Sequence, residues 1–465
     1  MRDNQSNFRA RTSPGLARLL TTVILLSLFG PMLRASSDFP VLGDHATINI
    51  EREEILGKSV YDRLFALGLI ETHPLLDRYI NDLGYRLLAG IDNRVRDYRF
   101  FIVRDDSVNA FAVPGGYIGV NRGLIRYAQT QHQLASVLAH EIAHVELTHG
   151  IDMMKKSEEI SNTTILTMLA GLLLGSVDSQ LGSAVLFGGV AGSQQAMINY
   201  TRDNEYEADR VGIDLLQDAR FDARGMVEFF TIMGELSGSS ELGGIEYLRT
   251  HPLSNNRVSE AISRVKDIRV VDDFASDFLR FKEFLVYVST DHMQARGSTY
   301  LRALAHIQAG KYTLADQLLR DLYRQDNENI WYSIAFAENL EFMGEEAQAE
   351  LVYRRLLDIF PGDYVLSMRL LRLLKLADRN QSALVIARGL ENRFPENQQI
   401  YFELSEIYES LQRHGLRLMA QAEYQRLAGN PKQAVRLYDE ILSSADIDPS
   451  TTSEAREKRS ILLSN

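Results

Sequence analysis

The clearest hydrophobic pattern lies between Gln131 and Gly150. Its apolar positions recur at the three- and four-residue spacing of one helix face: Leu134, Val137, Leu138 and Val145. Thr130 followed by Gln133 is typical of a helix start, because the threonine hydroxyl can accept a hydrogen bond from the Gln133 amide. The segment therefore predicts a buried amphipathic helix.

A second helical pattern begins near residue 296, continues to the end of the chain and repeats every 34 residues. The spacing is carried by three sets of residues: Gly310 and Gly344; Ala315, Ala349 and Ala383; Phe360-Pro361 and Phe394-Pro395. Gly ends the first helix of each pair, Ala packs within the second and Pro stops it, a combination typical of tetratricopeptide repeats. We predict an all-α solenoid over 296–465, whose concave face binds protein.

The repeat is expected to be interrupted once. Ala434 is the next residue that fits the alanine position, and it follows Ala383 by 51 residues instead of 34. We therefore expect about 17 inserted residues near 414–429 before a fourth helix pair resumes.

The chain before the repeats has a mixed pattern. A helix is predicted over 271–295 as a connector, with four residues on one face: Phe274, Phe278, Phe281 and Leu285.

The segment 108–120 is rich in strand-forming residues and bends at Pro114-Gly115-Gly116, so it predicts either an ordinary hairpin or an exposed edge that holds substrate. The segment 163–197 is rich in Leu, Gly, Ala and Val, and each apolar half is too short to cross a bilayer. We expect two buried helices there, with contact to a membrane surface as the alternative.

The first 35 residues have the order of a secretory signal peptide. Basic residues precede the apolar stretch Leu19–Leu33, and the small residue Ala35 precedes a polar segment. We predict export with cleavage near Ala35; an uncleaved anchor is the alternative.

The composition limits which residues could bind a metal and which partners suit the protein. The chain has no cysteine, so a metal site has to use His, Asp and Glu. The formal net charge is −12, and removal of residues 1–35 takes away five Arg and one Asp and leaves about −16. Such an acidic protein is not suited to non-specific nucleic-acid binding, which relies on Lys and Arg at phosphates.

The predicted helix at 131–150 carries the motif His140-Glu141-Ile142-Ala143-His144. Residues four apart lie on one helix face, so both imidazoles can bind one ion. Zinc lowers the pKa of a bound water towards about 7. Glu141, placed beside the ion, can take a proton from water and return it to a leaving amine. The motif therefore predicts a zinc-dependent hydrolase with Glu141 as its base.

A third metal ligand is needed. In the arrangement HExxHxxGxxH the third histidine would fall at Gly150, so His149 is expected instead to lie at the helix end or to support a ligand. Glu205 and Asp209 are four residues apart and share a helix face. We predict that Glu205 binds zinc and that Asp209 orients one of the ligand histidines. Glu207 is expected to point elsewhere, as a solvated charge.

The motif HEIAH, followed about 60 residues later by EYEADRVG, resembles the gluzincin family that contains the CAAX prenyl protease and the membrane heat-shock zinc protease. Two further stretches agree: 109–118 looks like the family's substrate-side strand, and His251-Pro252-Leu253-Ser254 with Arg257 looks like its HP…R motif. The similarity spans about residues 50–270.

The resemblance implies roles for several residues. Asn109, Ala110 and Phe111 would belong to the substrate strand, and Arg257 would have a supporting role. His251 would either stabilise the oxyanion or bind zinc as a fourth ligand and hold the enzyme idle, with a plain loop histidine as the remaining alternative.

The signal peptide and the repeats make the chain similar to periplasmic members of this family. That similarity implies substrates that are misassembled outer-membrane β-barrel proteins, and the barrel-assembly machinery as a partner of the repeat domain.

We therefore predict an α+β zinc metalloprotease domain at 36–270, mainly helical with a small sheet and one Zn²⁺ per chain, followed by the connector and the tetratricopeptide-repeat solenoid. The competing hypothesis is a chaperone or binding protein with a silenced protease domain. A membrane-embedded prenyl-protein protease is disfavoured because no spanning segment is predicted after residue 35.

Overall fold

The computed structural model describes residues 50–91, 96–150, 194–237, 246–268, 275–291 and 293–464. The predictions for the signal peptide, for 163–193 and for Phe274 lie outside these residues. The helices before the repeats are α1 (Ile50–Ala66), α2 (Pro74–Leu88), α3 (Arg122–Tyr127), α4 (Gln131–Glu146), α5 (Gln194–Asp218), α6 (Arg224–Ser237), α7 (Glu246–Thr250), α8 (Asn255–Val265) and α9 (Ala275–Val288). The repeat helices are α10 (Thr299–Gln308), α11 (Tyr312–Gln325), α12 (Ile330–Phe342), α13 (Glu346–Ile359), α14 (Tyr364–Leu376), α15 (Asn380–Arg393), α16 (Gln398–Ser410), α17 (His414–Leu427), α18 (Pro431–Ser443) and α19 (Pro449–Ser464).

A small sheet is formed by β1 (Arg99–Val103), β2 (Ala110–Val113) and β3 (Tyr117–Asn121) in the order β1-β3-β2. β1 runs parallel to β3, whereas β2 runs antiparallel to it. Gly115 and Gly116 have φ angles of 84° and 85°, which glycine adopts at little cost, and they make the tight turn between β2 and β3. The predicted bent strand is thus a hairpin, and its first strand is an edge of the sheet.

Helix α4 lies at the centre of the first half of the chain and is buried along almost its whole length. The predicted start is confirmed: the Thr130 hydroxyl accepts a hydrogen bond from the Gln133 amide at 3.2 Å. Helices α5 and α6 both pack against α4. They approach closely because glycines face it: a Cβ at Gly212 of α5 would lie 3.3 Å from the His140 nitrogen, and one at Gly225 of α6 would lie 2.6 Å from the His132 carbonyl.

The connecting helix α9 joins the two halves into one hydrophobic core. Phe278, Phe281 and Leu285 are buried, as the helical pattern predicted. The ring of Phe281 stacks on Tyr79 of α2 with the centroids 4.1 Å apart, and Trp331 of the repeat helix α12 packs beside both. Helix α2 therefore contacts the repeats through aromatic packing.

The repeat helices follow the predicted period. α12, α14 and α16 begin 34 residues apart, and so do α11, α13, α15 and α17. Four turns with positive φ keep the same spacing: Gly310, Gly344, Asp378 and Gln412. The expectation of an interruption near 414–429 is wrong, because α17 fills that stretch and begins 34 residues after α15.

The described residues therefore form a mostly helical protein with one small sheet, as predicted. Among them, no helix combines the length and the apolar character that crossing a membrane would require.

Gly225 and Gly234 both lie on α6 but differ in their surroundings. We expect Gly225→Ala to lower the free energy of unfolding by about 1–3 kcal/mol, because the methyl group would collide with the backbone of α4. Apart from the neighbouring backbone of α6 itself, no atom of the described residues lies within 4 Å of a Cβ at Gly234, so Gly234→Ala should raise the same free energy by up to about 1 kcal/mol through helix propensity. Urea unfolding of both variants measures the difference, and equal effects would contradict the close approach.

Candidate metal centre

Four side chains from three parts of the chain converge on one buried point: His140 and His144 of α4, Glu205 of α5 and His251, which follows α7. Each offers one ligand atom, and these atoms all lie within 4.8 Å of one another. The two Nε2 atoms of His140 and His144 are 3.0 Å apart. Glu205 carboxylate oxygens lie 3.3 Å from each of these nitrogens, and Nδ1 of His251 lies 3.2 Å from His140 Nε2.

These separations fit a tetrahedral ion. Ligand atoms at about 2.0–2.1 Å from a tetrahedral zinc stand about 3.3 Å apart. The set of three imidazoles and one carboxylate is also the donor chemistry that zinc accepts. The residues present therefore suit a metal ion, and the predicted pair from α4 is brought together with the predicted Glu205.

Asp209 lies beside the first histidine of the motif. Its Oδ1 lies 3.0 Å from Nδ1 of His140, so the opposite ring nitrogen faces the group of ligands. Burial alone would lower the pKa of His140, but hydrogen bonds with Asp209 and Glu205 raise it to about 10. The two buried carboxylates thus stabilise a positive charge at the centre of the group, as a metal cation requires.

Arg257 holds both carboxylates in place. Its Nε and Nη2 donate to the two oxygens of Asp209 at 2.7 and 2.8 Å, and its Nη1 lies 2.9 Å from Glu205. The same Nη1 donates to the Pro252 carbonyl at 2.8 Å, which ties down the segment that carries His251. Burial acts to raise the pKa of Asp209, but the bonds from Arg257 and His140 hold it below its usual value.

His144 has a different support. Its Nδ1 lies 2.9 Å from Nδ1 of His149, and Nε2 of His149 lies 3.5 Å from a carboxylate oxygen of Glu207. Burial lowers the pKa of His144 to about 3, so this ring is neutral. Glu207 is 56% exposed, as expected of a solvated charge, yet it does not simply point away, since it reaches His149.

Glu141 is almost completely buried, and burial raises its pKa. It accepts a hydrogen bond from the backbone of Ala112 on β2. Its Oε1 has no hydrogen-bond partner among the described residues and lies 3.4 Å from Nε2 of His251. A buried carboxylate with a raised pKa and a free oxygen beside a metal-binding group is suited to proton transfer.

His251 contacts both Glu205, another member of the metal-binding group, and Glu141. Its Nδ1 is 3.1 Å from Glu205, whereas its Nε2 faces Glu141. The ring of Tyr247 packs against it with the centroids 4.7 Å apart. Helix α7 ends at Thr250, as expected before the His251-Pro252 pair.

The edge of β2 that faces away from β3 runs beside this group. Asn121 donates to the Asn109 carbonyl at 2.9 Å, and bonded pairs alternate along an antiparallel ladder, so Phe111 also bonds to β3. The backbone groups of Ala110 and Ala112 then point away from the sheet. Of the three residues predicted for a substrate strand, Ala110 is the one with an outward-facing backbone.

Sequence reasoning missed two contacts at this site and left a third incomplete. It missed the ring of Tyr247 on His251 and the backbone of Ala112 on Glu141. It expected His149 at the helix end or beside a ligand, but not the link from His144 through His149 to Glu207. A histidine shortly after the motif was a visible signal for the last of these, but its orientation depends on a turn that spacing does not reveal. The other two depend on tertiary packing.

The buried contacts of Arg257 with two carboxylates lead to a prediction about stability. We expect Arg257→Met to lower the free energy of unfolding of the metal-free protein by about 3–5 kcal/mol, because it leaves buried carboxylates unpaired. Arg210, half exposed and 2.6 Å from Glu260, is the control. Arg210→Met should cost less than about 1 kcal/mol. Urea unfolding of the two variants measures both values, and a similar small loss in each would show that the buried fork does not stabilise the fold.

Comparison with known proteins agrees with this geometry. Residues 68–265 match the model of peptidase family M48. The chain is 30% identical over 455 residues to the beta-barrel assembly-enhancing protease of Escherichia coli strain K12, which covers 92% of this chain and 91% of that protein. It is 28% identical over 183 residues to the mitochondrial metalloendopeptidase OMA1 of Schizosaccharomyces pombe, covering 39% and 50% of the two chains. Among solved structures, a tetratricopeptide repeat protein from Parabacteroides merdae aligns at 12% identity over 59% of this chain and 100% of that one, with a TM-score of 0.21.

The resemblance drawn from the HEIAH motif and its surroundings is thus confirmed. The chain belongs to peptidase family M48, and His140, His144, Glu205 and His251 are positioned to bind the metal ion of a metalloprotease.

Proposed function

We propose that this chain is a periplasmic zinc endopeptidase that degrades misassembled outer-membrane β-barrel proteins and assists their assembly. The observation that carries the proposal is the buried group of ligands beside Glu141, next to the outer edge of β2. The name of the Escherichia coli relative, which aligns over nearly the whole chain, supports the substrate class.

In this proposal His140, His144 and Glu205 hold the zinc ion. When bound, zinc acts as a Lewis acid that makes water a nucleophile at neutral pH. Glu141 takes the proton from the attacking water and passes it to the departing amine. Asp209 keeps the ring of His140 in one orientation, and Arg257 keeps Asp209 in place.

The edge of β2 supports the proposed substrate class. Once Ala110 is uncovered and the Ala112 amide has left Glu141, an extended peptide could add to this edge through the backbone groups of these two residues, a mode of binding that depends little on side-chain sequence. Unassembled segments of a β-barrel protein are rich in extended chain with unpaired backbone groups, so they suit such an edge. The peptide bond next to Ala112 would then lie beside Glu141, because these two residues are already in contact.

His251 is assigned here to the idle state of the enzyme. It contacts Glu205 and faces Glu141 at the same time, so it fills the space that a substrate carbonyl would need. An oxyanion-stabilising residue would instead leave this space open. We therefore favour His251 as a fourth zinc ligand that has to move before cleavage.

The remaining parts of the proposal concern location and partners. The signal-peptide pattern of residues 1–35 supports export to the periplasm. The tetratricopeptide-type array, with its helices at a 34-residue period, supports a docking surface for the barrel-assembly machinery.

Proteolysis of an unfolded β-barrel protein tests the activity. We expect the zinc-loaded wild-type chain to cleave it, whereas Glu141→Gln and the zinc-stripped protein should lose more than about 100-fold in rate, the usual contribution of a general base. Glu146→Gln, on the same helix, is the control that should retain activity. If zinc is bound and no sample cleaves, a chaperone with a silenced protease domain is favoured, and Glu141→Gln should then still improve barrel assembly.

The position of His251 gives a separate expectation. His251→Ala should raise the rate of proteolysis, including self-cleavage, because it opens the space between Glu205 and Glu141. The rate is measured on the same unfolded substrate at saturating zinc. A lower rate would assign His251 to the transition state instead.

A further inference from the structure

The contact between His144 and His149 is built by an unusual turn. Helix α4 ends at Glu146, and Thr148 two residues later has a φ angle of 57°. Positive φ is unfavourable for a β-branched residue and persists only where the surroundings impose it. The turn directs His149 back against the end of α4, where its side chain is 8% exposed and Nδ1 meets Nδ1 of His144 at 2.9 Å.

The hydrogen-bond roles along this contact determine one another. His144 presents Nε2 to the group of ligands, so in the metal-bound form its Nδ1 carries the hydrogen. Nδ1 of His149 then accepts that hydrogen, which places the ring hydrogen of His149 on Nε2. That nitrogen is the one that lies 3.5 Å from Glu207. His149 therefore faces the ring hydrogen of His144, and Glu207 faces the ring hydrogen of His149.

His140, the other histidine of the motif, is also contacted by a carboxylate, but without an intervening side chain. Asp209 contacts Nδ1 of His140 directly at 3.0 Å. For His144 the carboxylate of Glu207 acts through an intervening imidazole. Both histidines of the motif thus have a carboxylate from helix α5 behind them.

We propose that His149 and Glu207 are positioning residues that orient His144 and raise the affinity of the site for zinc. This inference rests on the proposed function, since it concerns the same zinc ion. Its readout is metal affinity, so it can be tested without proteolysis.

The experiment measures zinc affinity by competition with a chromophoric chelator, using the whole chain in a Glu141→Gln background to prevent self-cleavage. His149→Phe keeps a ring but removes the acceptor, and we expect a 10- to 100-fold loss of affinity. His149→Asn should retain part of the affinity, because its amide oxygen can still accept from His144. Thermal unfolding of each metal-free variant should stay unchanged, which separates positioning from a structural role.

A second comparison tests the path through His149. Glu207→Gln should weaken zinc binding when His149 is present and have no effect in the His149→Asn background. Asp214→Asn, which removes an exposed charge from the same helix α5, is the matched control and should leave affinity unchanged.

Three results would overturn the proposal. They are wild-type affinity in His149→Phe, an equal effect of Glu207→Gln in both backgrounds, and an effect of Asp214→Asn as large as that of Glu207→Gln. The proposed function fails by a different result, namely that the chain with Glu141 intact binds zinc at full affinity and cleaves no barrel substrate.

Discussion

The metal-binding group depends on the buried pairing of Asp209 with Arg257. A carboxylate taken out of water is costly unless it is paired and hydrogen-bonded, and here two carboxylates lie within reach of one guanidinium. The planar fork of arginine satisfies both oxygens of Asp209 at once, which a lysine could not do. Because Arg257 also holds the Pro252 carbonyl, the same interaction places His251 relative to His140. Removing it would disturb three parts of the site together.

This pairing needs helices that approach one another closely. Gly212 allows α5 to lie against the backbone of α4 at His140, so that Glu205 and Asp209 reach the two histidines of the motif. Gly225 does the same for α6 at the start of α4. Side chains fixed on packed helices need little rearrangement to bind a metal ion, which is the reason such sites are usually built on rigid elements.

Local patterns in the sequence predicted the parts of the fold that are governed locally. The helical spacing and the Thr130 start predicted α4, and the 34-residue period predicted the repeat helices. The interruption expected before Ala434 was wrong because alanine spacing alone was followed. Turns at Asp378 and Gln412 keep the period although neither residue is glycine, so the pattern of glycines does not reveal them.

The candidate site likewise contains groupings that local spacing predicted and contacts that it did not. Spacing of four residues was enough to group His140 with His144 and Glu205 with Asp209, since it reflects the geometry of one helix. The contact of Glu207 with His149 was not predictable, because Glu207 lies two residues from Glu205 and helical spacing directs it elsewhere. It forms because the turn at Thr148 brings His149 to it. Interactions that depend on a strained turn or on another helix are set by tertiary packing.

Several groups that would meet a substrate in the proposed reaction already have partners within the chain. Glu141 accepts the Ala112 amide, His251 contacts Glu205, and the Tyr247 amide donates to the Val108 carbonyl at 3.0 Å, at the start of the β2 edge. In the proposed reaction, a peptide that pairs with this edge would replace the Tyr247–Val108 bond with another amide–carbonyl bond, and it would have to displace the Ala112 amide from the Glu141 carboxyl group. Tyr247 packs against His251, the residue that fills the space beside Glu141. A strand that displaced the Tyr247 amide would therefore also act on His251. The proposed binding of extended chain and the proposed opening of the site would therefore both involve one short segment, α7.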